Sequence, residues 1–330
     1  MTGEPNLPTV SVLIISKGRR ALLREAVESI ARLDYPRENV QVIVVEDTQA
    51  PSPLPGVVYV PGDFDGRGRS FMRNMSVRVS TGQILAFTDD DVVVDPQWLR
   101  ELVTPLVDHP DVAGVGGAVL PRKASLLGLC EYVLGYPGGG LRYVHAAAGR
   151  LVDTAHLSTV NCAYRRRVLL EAGGFPPKSV LSGEDYLLSW EVAKRHRCLF
   201  NPRAIVHHEP VSLWRLFVRF RNFGRGEIEV LGFIDDKLSF ARSMLRQCLG
   251  LKYLALVLGL LAVRLNPLWI LAAVAAHYVY LVFSYRFVTL HIARRDVQLV
   301  APLIRLVADF GMDCGRVWGL GARIFGRGRR

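Results

Sequence analysis

The stretch Ile84–Asp95, which reads Ile-Leu-Ala-Phe-Thr-Asp-Asp-Asp-Val-Val-Val-Asp, limits what this chain can fold into more than any other. A short apolar run bounded by polar residues fits a parallel strand covered on both faces. Its carboxylates then stand at the C-terminal end, where open α/β sheets bind ligands. Three adjacent acids repel one another, so they stay ionised together only beside a positive partner, and a divalent cation is the simplest one. Asp89 and Asp91 offer hard oxygen ligands, which suit Mg2+ or Mn2+ and leave coordination positions for a substrate's phosphates. The competing reading of the triplet alone is an acidic turn, with Asp95-Pro96 capping the next helix.

The chain before this stretch alternates. Thr9–Ile15 is apolar and β-branched, the pattern of a first buried strand, and Arg19–Leu33 carries Leu22, Leu23, Ala26, Val27, Ile30 and Leu33 at helical spacing. Val40–Val45 is the second strand and ends in Glu46-Asp47; Val57–Val60 is a short third. Ser70–Val79 reads as a helix, Gln83–Thr88 as the strand that ends in the acids, and Pro96–Asp108 as a helix with proline in its first turn. Such alternation predicts a doubly wound α/β domain. Glu46-Asp47 is expected beside the acid triplet, able to accept from a nucleobase N–H or a ribose hydroxyl, with an ordinary cap as the other reading.

Charge narrows the partners. The 330 residues are half hydrophobic and carry a net charge of +11, which suits a membrane surface or phosphorylated substrates. Nucleic acid is set aside, because the sequence has no zinc-finger spacing, no basic helix followed by heptads and no aromatic RNA-binding signature. Five cysteines (Cys130, Cys162, Cys198, Cys248, Cys314) are far apart without a Cys-x-x-Cys pair, so neither a disulfide framework nor a zinc site is expected, and a reducing, cytosol-facing compartment is. The start, Met-Thr-Gly-Glu-Pro-Asn-Leu-Pro, lacks the basic and apolar regions of a secretory signal.

The order of these pieces carries a resemblance. The first strand, Val-Val-Glu-Asp (44–47), Arg73-Asn74 and Phe-Thr-Asp-Asp-Asp (87–91) are followed by Asn161-Cys162-Ala163-Tyr164-Arg165-Arg166, Gly173-Gly174-Phe175, Glu184-Asp185 and His207-His208-Glu209-Pro210. The ordered set, over about residues 9–230, resembles the family 2 glycosyltransferases of the GT-A fold, Rossmann-like with a mostly parallel sheet. The resemblance implies transfer of a sugar from a nucleoside diphosphate donor to an acceptor hydroxyl or phosphate, mostly with inversion. It implies Asp89 and Asp91 as the Asp-x-Asp pair on the cation, Glu46, Asp47, Arg73 and Asp90 on the donor side, and Asp185 as general base. Glu184 is expected to orient Asp185, cap the following helix or touch the acceptor. A histidine completes the family's metal site; His208 is preferred over His207 because the Glu-Pro after it matches more closely, at most one of the two can face a metal since adjacent strand residues face opposite ways, and two histidines in a polar loop are the alternative.

Departures from the family pattern are equally specific. Glu46 stands where an aspartate is usual, Thr48-Gln49 replaces Gly-Ser, and Ser76 replaces a glycine, so preference for uracil stays open. Processive synthases carry Gln-x-x-Arg-Trp, whereas Leu216-Phe217-Val218-Arg219-Phe220 has neither the glutamine nor the tryptophan, which argues for single-sugar addition. Pro121–Asp153, with its apolar Leu126–Cys130 and Gly138-Gly139-Gly140, is expected on the acceptor side or as a packed helix and turn.

The domain expectation is a catalytic part over 1–240 and membrane-anchoring helices over 241–330. Leu265–Tyr285 is uncharged and long enough to cross a bilayer. With Leu249–Val263 it reads as a transmembrane or re-entrant hairpin closed by Arg264 and Asn266-Pro267, leaving the catalytic part and the arginine-rich tail Arg323–Arg330 on the cytoplasmic face. Val297–Leu320 suits an interfacial helix; buried helices of a soluble dimer are the alternative, and oligomeric state is open. Three functions remain: a metal-dependent transferase adding one sugar to a lipid-linked or cell-envelope glycan, a polyprenyl-phosphate sugar synthase, and a catalytically inactive membrane scaffold.

Overall fold

The computed structural model describes residues 7–176, 181–262, 266 and 268–325. They form two compact units, one of Met1–Ala124, Glu131–Ser179 and Glu184–Pro210, the other of Ser125–Cys130, Val180–Gly183 and Val211–Arg330.

The first unit is built on one sheet made of β1 (Val10–Lys17), β2 (Val40–Asp47), β3 (Val58–Gly62), β4 (Ile84–Asp89), β5 (Val92–Val94), β6 (Val112–Pro121), β7 (Val152–Asp153), β8 (Asn161–Arg165) and β9 (Arg197–His208). Strand order is β3-β2-β1-β4-β8-β6-β9-β5, with β7 on β9. Strands β1 to β4 are parallel, β8 runs against both β4 and β6, and β9 runs with β6. Strands β1, β2, β4, β6 and β9 therefore end along one edge, and β8 begins there.

The helices up to Pro210 are α1 (Arg20–Ile30), α2 (Gly68–Val79), α3 (Trp98–Asp108), α4 (Leu126–Leu134, of which the part up to Cys130 belongs to the second unit), α5 (Leu141–Ala147), α6 (Arg166–Glu171) and α7 (Glu184–Ala193). Alternation along the strands fills two apolar layers. Val12, Ile14, Val44 and Ala86 pack with Leu23, Trp98, Leu99 and Leu102 on one face. Leu13, Ile43, Val45, Leu85 and Phe87 pack with Met72, Val77, Phe175 and Leu188 on the other. Both faces are covered, which is why these strands read as unbroken apolar runs. Each such side chain contributes about 1.5–3 kcal/mol on burial.

The acid pair on β2 is not next to the triplet, because β1 lies between β2 and β4. Register nevertheless brings both to one edge: Ser16 pairs with Glu46, and Ile15 pairs with Asp89.

Two of the sequence motifs turn out to fasten that edge. The Asn161 amide donates to Ala118 O and Ala204 O, both at 2.8 Å, and its Oδ1 accepts from Trp98 Nε1 at 2.8 Å. Gly117 must be glycine here, since a Cβ would lie 2.2 Å from Ala204 O. Asn74 makes a two-way bridge to Phe175, donating to its carbonyl at 2.9 Å and accepting from its N–H at 3.0 Å. Arg73-Asn74 and Gly173-Gly174-Phe175 are thus one structural clasp, and Phe175 packs edge-on against Phe87 at 5.4 Å.

The second unit holds α8 (Leu213–Val230), α9 (Lys237–Gln247), α10 (Leu249–Ala262), α11 (Leu268–Ser284), α12 (Val288–His291) and α13 (Arg295–Phe325). α8, which the sequence division at 240 assigns to the catalytic part, groups by contact with α13. The reason lies in small residues. A Cβ at Gly315 would stand 1.9 Å from Arg221 O, and one at Gly224 would stand 2.0 Å from Met312 O, so the two backbones touch where side chains are missing. Buried Arg316 adds hydrogen bonds to Glu227 at 2.8 Å and Asp313 at 2.7 Å. Gly315→Leu should force α8 and α13 apart at a cost of about 1–3 kcal/mol or more, read as a lower melting temperature. Gly321→Ala, with nothing within 4 Å of the new Cβ, should leave it unchanged or slightly higher.

One described helical run, Leu268–His291, is long and apolar enough to cross a membrane by length and composition. Leu268, Trp269, Leu271, Tyr280 and Phe283 on it are exposed, as are Leu254, Leu258 and Leu261 of α10 and Phe310 and Val317 of α13. Arg264, Pro267 and the tail beyond 325, on which the hairpin reading partly relies, lie outside the described residues.

Candidate active site

The charged groups at the strand edge sort themselves by alternation. Asp89, the last residue of β4, is one-third exposed and lies 3.6 Å from Arg73 Nη2. Asp90 turns back to β1, where Ser16 Oγ donates to it at 2.7 Å. Burial pushes the Asp90 carboxyl up to about 6, against the pull of Arg19 and Ser16. Asp91 is buried and lies directly before β5, which pairs antiparallel with the end of β9, Val92 opposite His208. That pairing sets His208 Nε2 3.6 Å from Asp91 Oδ2.

His208 faces the acids, and its ring meets Tyr136 edge-on at 5.9 Å. Burial opposes its charged form, yet the Asp91, Asp89 and Glu131 carboxylates outweigh this and hold its pKa above the ordinary value. His207 points the other way, and burial lowers its pKa.

Arg73, expected on the donor side, is a buried guanidinium between two acids. It pairs closely with Glu184 on one side and reaches Asp89 on the other, over the Phe175 ring at 5.6 Å. Glu184 is itself buried in the first turn of α7. Asp185, next to it, is half-buried: its Oδ1 accepts from Tyr186 N at 2.9 Å, and its Oδ2 lies 3.4 Å from both Ser158 Oγ and Thr159 N.

At the β2 end, Glu46 accepts from Arg20 Nη1 and from Tyr59 OH, both at 2.6 Å. Asp47 accepts from Phe64 N at 2.9 Å and pairs with Lys17 at 2.7 Å. The Lys17 hydrogen bond, with help from the Phe64 amide, holds its pKa below the usual carboxylate range.

Sequence reasoning missed Arg19. It stands at the turn between β1 and α1, pairs closely with Asp91 and lies 3.2 Å from Asp90 Oδ1. The signal for it was available: a sheet edge holding this many acids needs nearby cations, and Lys17, Arg19 and Arg20 follow the neighbouring strand.

Among the described residues no three His, Cys, Asp or Glu side chains converge closely enough to hold an ion as they stand. The donor set still fits one. Two hard carboxylates and an imidazole suit Mg2+ or Mn2+. Ligands 2.0–2.1 Å from one octahedral ion are about 3 Å apart, so the 3.6 Å between Asp91 and His208 closes with a small side-chain rotation. Arg19 supplies the positive charge at Asp91 in this arrangement.

At Ser158, which lies 3.4 Å from Asp185, a small cleft of about 20 Å3 is lined by Gly138, Gly139, Tyr143, His156 and Phe200 among others. Its described lining holds no Lys or Arg.

A sheet of this order, carrying acids at the ends of its parallel strands, has the GT-A glycosyltransferase architecture. The family model "Glycosyltransferase like family 2" matches residues 7–226, and the chain belongs to that family. It is 25% identical over 242 residues to the glucosyl-dolichyl phosphate glucuronosyltransferase of Haloferax volcanii, covering 66% of this chain and 74% of that protein. It is 23% identical to the glycosyltransferase AglE of the same organism, over 72% of this chain and 78% of the other. In fold it is similar to the mannosyltransferase PcManGT of Pyrobaculum calidifontis, solved with GDP-Man and Mn2+, with a TM-score of 0.61 at 17% identity over 94% of this chain and 88% of that one. GalNAc-T7, solved with UDP, GalNAc and Mn2+, gives a TM-score of 0.51 at 18% identity over 69% and 48%.

Proposed function

We propose that this glycosyltransferase moves one sugar from a nucleoside diphosphate sugar onto a hydroxyl of a lipid-linked or cell-envelope glycan, at a membrane, with a divalent cation and with inversion. The observation that carries the reading is the linked row Asp91–His208, Asp89, Arg73, Glu184-Asp185 along one sheet edge, with buried Arg73 joining the acidic cluster to the turn that bears Asp185.

In this reading Asp89, Asp91 and His208 would hold the cation, which would supply positive charge for the departing diphosphate. Asp47, at the end of β2, accepts from the nucleobase; Glu46 is already engaged by Arg20 and Tyr59 and shapes that end of the site. Asp185 takes the proton from the acceptor hydroxyl as its oxygen bonds to the anomeric carbon and the bond from that carbon to the diphosphate breaks. Ser158 and Thr159 N–H hold the carboxylate oriented for this. One base and one displacement give inversion.

The cleft beside Asp185 favours a sugar hydroxyl over a lipid phosphate as acceptor. A phosphate would call for cations, and the described lining has none, whereas Ser158 and His156 offer hydrogen-bonding groups that a sugar hydroxyl can meet. The name of the Haloferax volcanii relative likewise specifies glucosyl-dolichyl phosphate, a sugar already on its lipid. The exposed apolar surfaces of α10, α11 and α13 and the arginine-rich tail support the membrane assignment, and the cytoplasmic face is the side proposed.

The test is release of nucleoside diphosphate by the detergent-solubilised protein given a panel of donors and membrane lipid extract. Release from one donor should vanish with chelator and return with Mn2+ or Mg2+. A product in which the sugar sits directly on a polyprenyl phosphate would select the synthase alternative. No release from any donor would favour the scaffold.

A further inference from the structure

We infer that Arg19 is a gate on the cation site: it occupies the Asp91 carboxylate until a diphosphate draws it away, so that cation and donor enter together. The inference rests on the metal-dependent reading above.

The geometry makes occupancy competitive. Arg19 Nη1 pairs with Asp91 Oδ2, the same oxygen that lies 3.6 Å from His208 Nε2. An ion held by Asp91 and His208 would compete with Arg19 for that carboxylate. A guanidinium and a divalent cation on one carboxylate repel at close range, so each weakens the hold of the other. Arg19 is the partner able to move: its side chain is 42% exposed, against 7% for Asp91 and 4% for Asp90. Ser16 fixes Asp90 from behind, so the acids stay in place when the guanidinium leaves.

Where Arg19 goes follows from its anchorage. It immediately precedes α1, whose first turn has neither a side-chain cap nor an acidic residue. A released guanidinium there is free to pair with anionic oxygens, next to a cation that would bind the same diphosphate. Arg19 thus opposes the cation alone and favours the cation with diphosphate, which is positive coupling between two ligands and must be reciprocal.

The test is Mn2+ binding by the purified full-length protein, read from the electron paramagnetic resonance signal of free Mn2+, without nucleotide and with saturating UDP or GDP. Arg19→Ala should bind Mn2+ alone about tenfold more tightly than wild type, and nucleotide should improve its Mn2+ affinity by a smaller factor than in wild type, since coupling of this kind is typically about 5–150-fold. Arg19→Lys, which keeps a cation there, should fall between the two and guards against misfolding of the alanine variant. Unchanged or weaker Mn2+ binding in Arg19→Ala, while wild type still binds Mn2+ with a nucleotide, overturns the gate alone. Failure of every form to bind Mn2+ with either nucleotide overturns the metal-dependent reading and the gate with it.

Discussion

Asp185→Asn should reduce nucleoside diphosphate release about 10²–10⁴-fold, the usual share of a positioned general base, while leaving the fold and Mn2+ binding as they were. Asparagine keeps the size of the side chain and one acceptor oxygen, enough for either Tyr186 N or the Ser158 and Thr159 pair but not for both, and it cannot take a proton. Loss should therefore fall on turnover, with little change in affinity for the donor. Glu184→Gln serves as the contrast. Glu184 is buried against Arg73, so its substitution should show as lowered stability before it shows in chemistry. An Asp185→Asn enzyme with wild-type turnover would move the base elsewhere, and no residue other than Glu184 in that turn is available to take the role.

Much of this site was legible because strand geometry is local. A run of apolar residues ending in acids gives its own direction and its own edge, so Asp89, Asp90 and Asp91 fell where the pattern put them. The Glu-Pro that follows His208 favours it over His207, alternation lets at most one of the two face the acids, and the structure turns His208 toward Asp91 while His207 faces away. What sequence could not supply was the pairing of charges across long separations. Arg19 and Asp91 are 72 residues apart, and Arg73 and Glu184 are 111 apart. No periodicity links such positions; only the topology that inserts β1 between β2 and β4 and places α7 at the same edge does so. The same limit explains α8: its glycines look unremarkable until α13, some 90 residues on, brings Gly311, Gly315 and Gly319 against it.

Arg73 yields the second large effect. Its guanidinium is 7% exposed and neutralises Glu184, 4% exposed, so the pair sits where an unpaired charge is poorly tolerated. Arg73→Met keeps most of the volume and the contact with Phe175 but leaves the buried Glu184 carboxylate with only the largely exposed Arg69, 4.0 Å away, as counter-charge, and Asp89 without its neighbour. Removing one partner of such a pair costs about 3–5 kcal/mol. At about 2–4 °C per kcal/mol for a domain of this size, the melting temperature should fall roughly 6–20 °C. Arg73→Met combined with Glu184→Gln should recover a large part of that loss, because no buried charge is then left alone, and the coupling between the two substitutions isolates the pair from simple packing defects. Activity should not recover with stability. If Arg73 also keeps Asp89 turned for the cation, as its 3.6 Å approach suits, the double variant should melt near wild type and still bind Mn2+ with nucleotide more weakly. A single variant that melts within about 1 °C of wild type would mean that solvent reaches Glu184 in solution, and the link between the two ends of the site would have to be given up.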